Sequence, residues 1–131
     1  MAADIHYVAG DATAPVGTGP RIIVHICNDA GAWGAGFVLA ISRRWQLPES
    51  EYRRWYAGRE HSAFGLGEVQ LVQVEAALFV ANLIGQHGLR RVGTRPPIRY
   101  DAVATGLAKA KTRLVNASRK NAKGRCLRQR D

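Results

Sequence analysis

The sequence predicts an α/β fold, in which helices pack on the faces of a central sheet. Two runs rich in β-branched and other apolar residues, 21–27 and 78–84, are typical of strands that are covered on both faces. The segments between and after these runs carry apolar residues at helical spacing. Strand and helix patterns therefore alternate along the chain, as they do in a layered α/β domain.

The first part of the chain is expected to form a strand and then a helix-bearing unit. Residues 4–9 are a short strand candidate that ends at Gly10 and Asp11. After the strand over 21–27 comes a glycine-rich turn, and the four-residue spacing of Phe37, Ile41 and Trp45 predicts a helix. A second short helix should begin near Pro48, since proline suits a first helical position.

The second part of the chain continues the alternation. The second helix should end at Gly58, a residue suited to a helix C-cap. Strands are expected over 68–75 and 78–84, followed by a basic loop over 87–97. A last helix should open at Pro97, and the residues that share its apolar face are Val103, Leu107, Ala110 and Leu114.

The charge of the chain is concentrated at one end. The protein has 131 residues, enough for one domain, and a net charge of +9. Residues 112–131 hold seven basic residues and one acidic residue, whereas the rest of the chain is nearly balanced. Nucleic-acid binding would therefore depend on this basic tail. We expect a domain over residues 4–111 and a disordered tail, or a ragged helix extension, over 112–131.

Several protein classes are not expected from this sequence. No apolar run is long enough to span a bilayer, and no secretory signal pattern is present. Cys27 and Cys126 lack the spacing of a metal or redox motif, so neither a metal site nor a cofactor is expected. Cys27 should be a buried free thiol. This cysteine usage favours a reducing, cytoplasmic compartment.

Two segments carry residue types that suit ligand binding. Asp11 follows the first strand candidate, where its carboxylate could accept a hydrogen bond from an exocyclic amine or could merely form a turn. Residues 24–37 run from a buried strand through a glycine-rich loop into a helix. Loop N–H groups and a helix N-terminus favour a phosphate, although a structural turn is the alternative. The spacing fits neither a P-loop nor a dinucleotide-binding fingerprint.

Three motifs in this order resemble the macro domain, an ADP-ribose-binding module. They are Gly-Asp at residues 10–11, Cys-Asn-x-x-Gly-x-Trp-Gly-x-Gly at 27–36, and Pro-Pro-Ile-Arg-Tyr at 96–100, within a match over about residues 4–110. The sequence is most similar to the branch with the ADP-ribose 1″-phosphate phosphatase and the terminal ADP-ribose protein glycohydrolase. The resemblance implies a three-layer α/β/α domain with a mixed central sheet.

The resemblance also implies roles for individual residues. Asp11 would hold the adenine amine, Asn28 would bind the distal ribose, and His25 matches a histidine proposed as catalytic in the phosphatase branch. Asn28 and His25 are thus the expected catalytic residues, although a histidine inside an apolar strand is often a core residue. The expected ligand-binding residues are Asp11, Ala12, Asn28, Gly31, Trp33, Gly34, Ala35, Gly36, Phe37 and Gln86.

The chain departs from the family pattern at three places. Gln86 stands where the glycohydrolase branch has a nucleophilic lysine, and Val38 stands where other hydrolytic macro domains carry an acid. The basic tail replaces a further strand, a second phosphate loop and a final helix and strand, so the C-terminal strands should be incomplete.

Three functions follow from this reading. The resemblance implies binding of ADP-ribose or of an ADP-ribosylated macromolecule, with possible hydrolysis of an ADP-ribose ester or of ADP-ribose 1″-phosphate. A water oriented by Asn28 or His25 would then carry out the reaction. The first alternative is a non-catalytic reader of ADP-ribosylated partners, which the departures at Gln86 and Val38 favour. The second is nucleic-acid binding through the tail.

Overall fold

The computed structural model describes residues 4–90 and 97–130, with side chains up to residue 119. The elements in chain order are β1 (Arg21–Asn28), α1 (Phe37–Arg44), α2 (Leu47–Ala57), β2 (Val69–Glu75), β3 (Leu78–Gln86) and α3 (Tyr100–Arg130). Within the described residues the sheet has the order β1-β3-β2. β3 runs parallel to β1 and antiparallel to β2, which confirms the mixed α/β sheet.

The helices form two layers, one on each face of the sheet. The core that joins α1 and α2 to the sheet contains Ile23, Cys27, Trp33, Ile41, Tyr52, Leu78, Val80 and Ile84. The core that joins α3 to the sheet contains Val69, Ala81, Leu83 and Ala110. Because successive strand residues point to opposite faces, Val80 and Ala81 of β3 lie in different cores. β3 is covered on both sides, as its apolar sequence predicts.

The prediction of a strand over residues 4–9 is wrong. These residues have no regular structure, and Ile5, Tyr7 and Val8 are 77%, 91% and 85% exposed. Strand propensity reflects packing on a paired, half-buried surface, so a β-prone segment without a neighbouring strand stays irregular. Asp11 therefore does not follow a strand.

The last helix differs from its expected form at its start and on its apolar face. Pro97 precedes α3, which begins at Tyr100, because Ile98 forms a β-bridge with Gln86. Leu107 is 46% exposed, whereas Ala102 and Ala110 are buried. The small residues of α3 face the sheet, and they allow the helix axis to approach it closely.

The basic tail is helical as far as the structure describes it. α3 extends to Arg130. Of the two alternatives that the sequence allowed, disorder or a helix extension, the structure shows the helix extension. The boundary of a separate tail at residue 112 stays a prediction. Residues 91–96 of the expected basic loop lie outside the described residues. None of the described helices is long and apolar enough to cross a membrane.

Replacing Gly106 by alanine should loosen the contact between α3 and the sheet. A Cβ at this position would stand 2.5–2.8 Å from three side-chain atoms of Leu83. Such overpacking costs about 1–3 kcal/mol, more than the roughly 0.5–1 kcal/mol that alanine gains over glycine in a helix. We expect Gly106→Ala to lower the melting temperature. Combining it with Leu83→Ala should cost less than the sum of the two changes, and an additive result would contradict the clash.

Candidate functional site

A cavity of about 510 Å³ lies where β1 and β3 end. Ligand sites commonly have volumes of roughly 300–1,000 Å³. The ends of parallel strands, followed by loops, are also the usual place for a ligand in an open α/β sheet. The residues that line the cavity are Ile26, Cys27, Asn28, Ala32, Gly34, Ala35, Gly36, Val38, Gln86 and Leu89.

The glycine-rich loop leads into a helix whose N-terminus has no side-chain cap. Gly36 is the N-cap residue of α1, with φ +81°, and it makes no side-chain hydrogen bond there. The first turn of α1 contains no acidic residue. The N–H of Leu39 already donates to the carbonyl oxygen of Gly36 at 3.1 Å, but the N–H groups before it and the positive partial charge of a helix N-terminus suit an anion. Gly34 and Gly36 also leave open space, since a Cβ built on either would have no atom within 4 Å.

Asn28 shapes this loop with its side-chain amide. Its Oδ1 accepts hydrogen bonds from the N–H groups of Ala30 at 2.9 Å and Ala32 at 3.1 Å. Its Nδ2 donates to the carbonyl oxygen of Ala32 at 2.8 Å. One N–H of the amide is left for a ligand or a water, because a primary amide carries two. Asn28 thus lines the cavity and also fixes the loop that surrounds it.

Tyr52 supports Asn28 from below the loop, and the sequence did not indicate this role. Its hydroxyl lies 2.7 Å from the carbonyl oxygen of Asn28 and 3.0 Å from Oδ1. Burial raises the pKa of Tyr52, so the hydroxyl stays protonated and donates. At sequence level Tyr52 differs in no way from a core aromatic residue of an amphipathic helix.

Tyr52→Phe should therefore weaken the loop without disturbing the core. The ring is kept, but the oxygens of Asn28 lose their buried donor, which costs about 1–3 kcal/mol. We expect a lower melting temperature and faster amide exchange at residues 29–33. Tyr56→Phe is the matched control, since its hydroxyl does not contact Asn28, and equal effects of both changes would contradict the proposed support.

Trp33 belongs to the core rather than to the cavity lining. Its side chain is 4% exposed, and its Nε1 donates to Oγ of Ser42 at 2.8 Å. Oγ of Ser42 in turn donates to Oε1 of Glu49 at 2.9 Å. The ring of Trp33 also packs against Tyr52, with centroids 5.5 Å apart. The tryptophan therefore anchors the glycine-rich loop to α1 and α2.

His25 is a buried and hydrogen-bonded histidine. It is 6% exposed, and its Nε2 lies 2.5 Å from Oδ1 of Asn82, an acceptor, so Nε2 carries the proton. Nδ2 of Asn82 donates to the carbonyl oxygen of Pro48 and to Oε1 of Gln70. Burial lowers the pKa of His25 despite the bond to Asn82, which keeps the ring neutral. His25 does not line the cavity, and its catalytic role stays a prediction.

Asp11 is exposed and forms a turn with its neighbour. Its Oδ1 accepts hydrogen bonds from Oγ1 of Thr13 at 2.7 Å and from the N–H of Thr13 at 2.9 Å. These bonds, led by the one from the hydroxyl, hold the pKa of Asp11 below its ordinary value. Neither Asp11 nor Ala12 lines the cavity, so the adenine contact stays a prediction.

The structure brings together half of the expected ligand-binding residues. The cavity lining includes Asn28, Gly34, Ala35, Gly36 and Gln86, whereas Asp11, Ala12, Gly31, Trp33 and Phe37 lie outside it. Sequence reasoning missed the apolar part of the lining, which comprises Ile26, Ala32, Val38 and Leu89. These residues carry no chemical signature, and only the fold shows that they share one cavity.

Cys27 is the titratable residue of the lining, and its buried thiol is unreactive. It is a free thiol and is 3% exposed, which confirms the expected buried thiol. Burial raises the pKa of this thiol, so it is not a thiolate nucleophile at neutral pH. Among the described residues, no group of three or more His, Cys, Asp or Glu side chains could hold a metal ion.

Solved structures of other proteins share this fold. A macrodomain protein from Streptomyces coelicolor is 51% identical, with a TM-score of 0.75 over 82% of this chain and 68% of that chain. The chain belongs to the macrodomain family. Two structures of proteins from Bacteroides thetaiotaomicron are also similar to this chain. Their sequences are 52% and 51% identical to it, and their TM-scores are 0.76 and 0.78. They cover 82% and 83% of this chain, and this chain covers 69% of each.

More distant macrodomains share the fold at low identity. The macrodomain of Thermus aquaticus DarG is 19% identical, with a TM-score of 0.62 over 83% of this chain and 66% of that chain. No family model matches this macrodomain, and no curated protein matches it either. The family assignment therefore rests on the solved structures at about half identity.

Proposed function

We propose that this macrodomain binds ADP-ribose, either free or attached to a macromolecule, in the cavity at the ends of β1 and β3. The observation that carries the proposal is the uncapped N-terminus of α1, which opens onto this cavity beside Gly34 and Gly36. A diphosphate placed there would accept hydrogen bonds from loop N–H groups and would meet the positive end of the helix. The likeness to the Streptomyces coelicolor macrodomain supports ADP-ribose binding as the function.

The two ends of the ligand would meet different residues. The distal ribose would reach the remaining N–H of Asn28, and the adenine amine would reach Asp11. The carboxylate of Asp11 already accepts two bonds from Thr13, but a carboxylate has about four acceptor sites. Its exposed, ionised state therefore leaves it available to the amine.

Binding without turnover is the activity that we propose, because a water held by the remaining N–H of Asn28 would still need a base to take its proton. Among the described lining residues, Cys27 alone is titratable, and its thiol stays protonated. A general base must lie within about 2.6–3.2 Å of the proton that it takes, directly or through one water. His25 does not line the cavity, and its Nε2 is already hydrogen-bonded to Oδ1 of Asn82. A reader of ADP-ribosylated partners therefore fits the geometry better than a hydrolase.

Calorimetric titration with ADP-ribose tests the binding proposal. We expect saturable binding of ADP-ribose and weaker binding of AMP, which lacks the second phosphate and the distal ribose. Failure of ADP-ribose to bind at millimolar concentration would overturn the proposal. A duplex DNA arm at two salt concentrations detects binding through the basic tail, since phosphate contacts weaken steeply with salt.

A single-turnover assay separates the reader from the hydrolase. The substrates are ADP-ribose 1″-phosphate and a protein ADP-ribosylated on glutamate, with the macrodomain in excess. We expect neither phosphate nor ADP-ribose to be released above the uncatalysed rate. Release above the uncatalysed rate would establish hydrolysis, and a slower release in Asn28→Ala or His25→Ala with unchanged Kd and melting temperature would give that residue a catalytic role.

A further inference from the structure

One carboxylate connects the two walls of the cavity. Asp29 follows β1 and makes three hydrogen bonds to the residues that end β3 or follow it. Its N–H donates to the carbonyl oxygen of Gln86 at 3.0 Å. Its Oδ1 accepts from the N–H of Gly88 at 2.7 Å, and its Oδ2 lies 2.7 Å from Nδ1 of His87.

The segment that Asp29 holds, residues 86–89, has little apolar packing of its own. The side chain of His87 is 56% exposed, and Leu89 as a whole residue is 59% exposed. Gly88 has φ +63°, which is the left-handed backbone of a tight turn. Other hydrogen bonds that the structure describes here join Nε2 of Gln86 to the oxygen of Gly88, and the N–H of His87 to the oxygen of Pro97. Hydrogen bonds rather than packing therefore fix this turn.

The turn over residues 86–89 supplies one wall of the ligand cavity. Gln86 and Leu89 line the cavity, and the other lining residues belong to β1, the loop after it, and the start of α1. Asp29 is covalently bonded to Asn28 on one wall and hydrogen-bonded to the turn on the other. We propose that Asp29 is a positioning residue that holds Gln86 and Leu89 in place for the bound ligand. This inference rests on the proposed function.

The physical reason is pre-organisation. Partial burial opposes ionisation of Asp29, but the N–H of Gly88 and the ring of His87 hold the pKa of its carboxyl below the ordinary value. The carboxylate therefore stays ionised and accepts both bonds near neutral pH. A turn that is released from it must be ordered again by the ligand, and that ordering weakens binding.

The experiment compares Asp29→Ala with Asp29→Asn by calorimetry with ADP-ribose and by amide hydrogen exchange of the free protein. In Asp29→Ala, we expect the Kd to rise about tenfold, the cost of ordering one or two side chains. The amide of Gly88 should exchange faster, while the amides of β3 stay protected. Asp29→Asn keeps an oxygen acceptor for Gly88, so it should recover most of the affinity.

Matched variants keep the two proposals separable. Glu60→Ala removes an exposed acid outside the cavity and should leave the Kd and the exchange of Gly88 unchanged. His87→Ala removes one exposed partner of Asp29 and should raise the Kd by less than Asp29→Ala does. This variant also tests the link if Asp29→Ala does not fold. If the wild-type protein does not bind ADP-ribose, the proposed function fails, and unchanged exchange at Gly88 in Asp29→Ala would overturn the positioning role separately. Equal Kd values in wild type and both variants would overturn the positioning role alone.

Discussion

Gly34→Glu should abolish ADP-ribose binding and leave the fold intact. A Cβ at Gly34 has no atom within 4 Å and the backbone φ there is not left-handed, so a side chain can start at this position without a clash or strain. The position lines the cavity beside the N-terminus of α1, where the diphosphate is expected. A glutamate there would occupy part of the ligand volume and repel the phosphates. We expect at least a hundredfold loss of affinity, about 3 kcal/mol or more.

Calorimetry with ADP-ribose and a thermal melt together check this prediction. Gly65→Glu is the matched control, because Gly65 also leaves open space for a Cβ and lies outside the cavity. The affinity of Gly34→Ala for ADP-ribose should lie between those of the wild type and Gly34→Glu, since a methyl group takes up less of the cavity. A Gly34→Glu protein that binds ADP-ribose like wild type would remove this loop from the binding site.

The strands and helices that could be predicted are those whose local sequence is enough to specify them. The apolar run 78–84 fits a strand covered on both faces, and β3 is such a strand. Pro48 lies in the first turn of α2, as its fixed φ favours, and Gly58 is the C-cap residue, although its φ of −95° is one that other residues also adopt. Residues 4–9 have the same strand-like composition, but a strand also needs a neighbour, and composition does not reveal whether one is available.

The candidate site also contains some features that local sequence indicates and others that only the tertiary fold creates. Glycines after a buried strand indicate a loop that can approach a phosphate, and Gly34 and Gly36 do line the cavity. The link between Asp29 and His87 joins residues 58 positions apart, so no local pattern could indicate it. Trp33 was expected among the ligand-binding residues, because the hydrogen bond to Ser42 that holds it in the core depends on how α1 packs. Pairings that the tertiary fold creates are what the sequence could not show.

Gly31→Ala should destabilise the protein strongly, for two independent reasons. Gly31 has φ +79°, a conformation that costs a residue with a Cβ about 1–2 kcal/mol. An added Cβ would also stand 2.5 Å from Cδ2 and 2.7 Å from Cγ of Tyr56. These atoms belong to a ring that packs on Phe64, with centroids 5.3 Å apart, so the ring cannot simply move aside. Overpacking adds about 1–3 kcal/mol.

Urea unfolding of four variants separates the strain from the clash. Gly58→Ala is the control, because its Cβ would meet only the carbonyl oxygen of Arg54, at an ordinary 3.6 Å. We expect Gly31→Ala to lose about 2–5 kcal/mol of unfolding free energy, a large part of the roughly 5–15 kcal/mol of a typical domain. Adding Tyr56→Ala to Gly31→Ala should relieve the clash but not the strain, so the double variant should be more stable than the sum of the single changes predicts. If Gly31→Ala unfolds at the same urea concentration as Gly58→Ala, neither the backbone strain nor the clash with Tyr56 limits the stability of this loop.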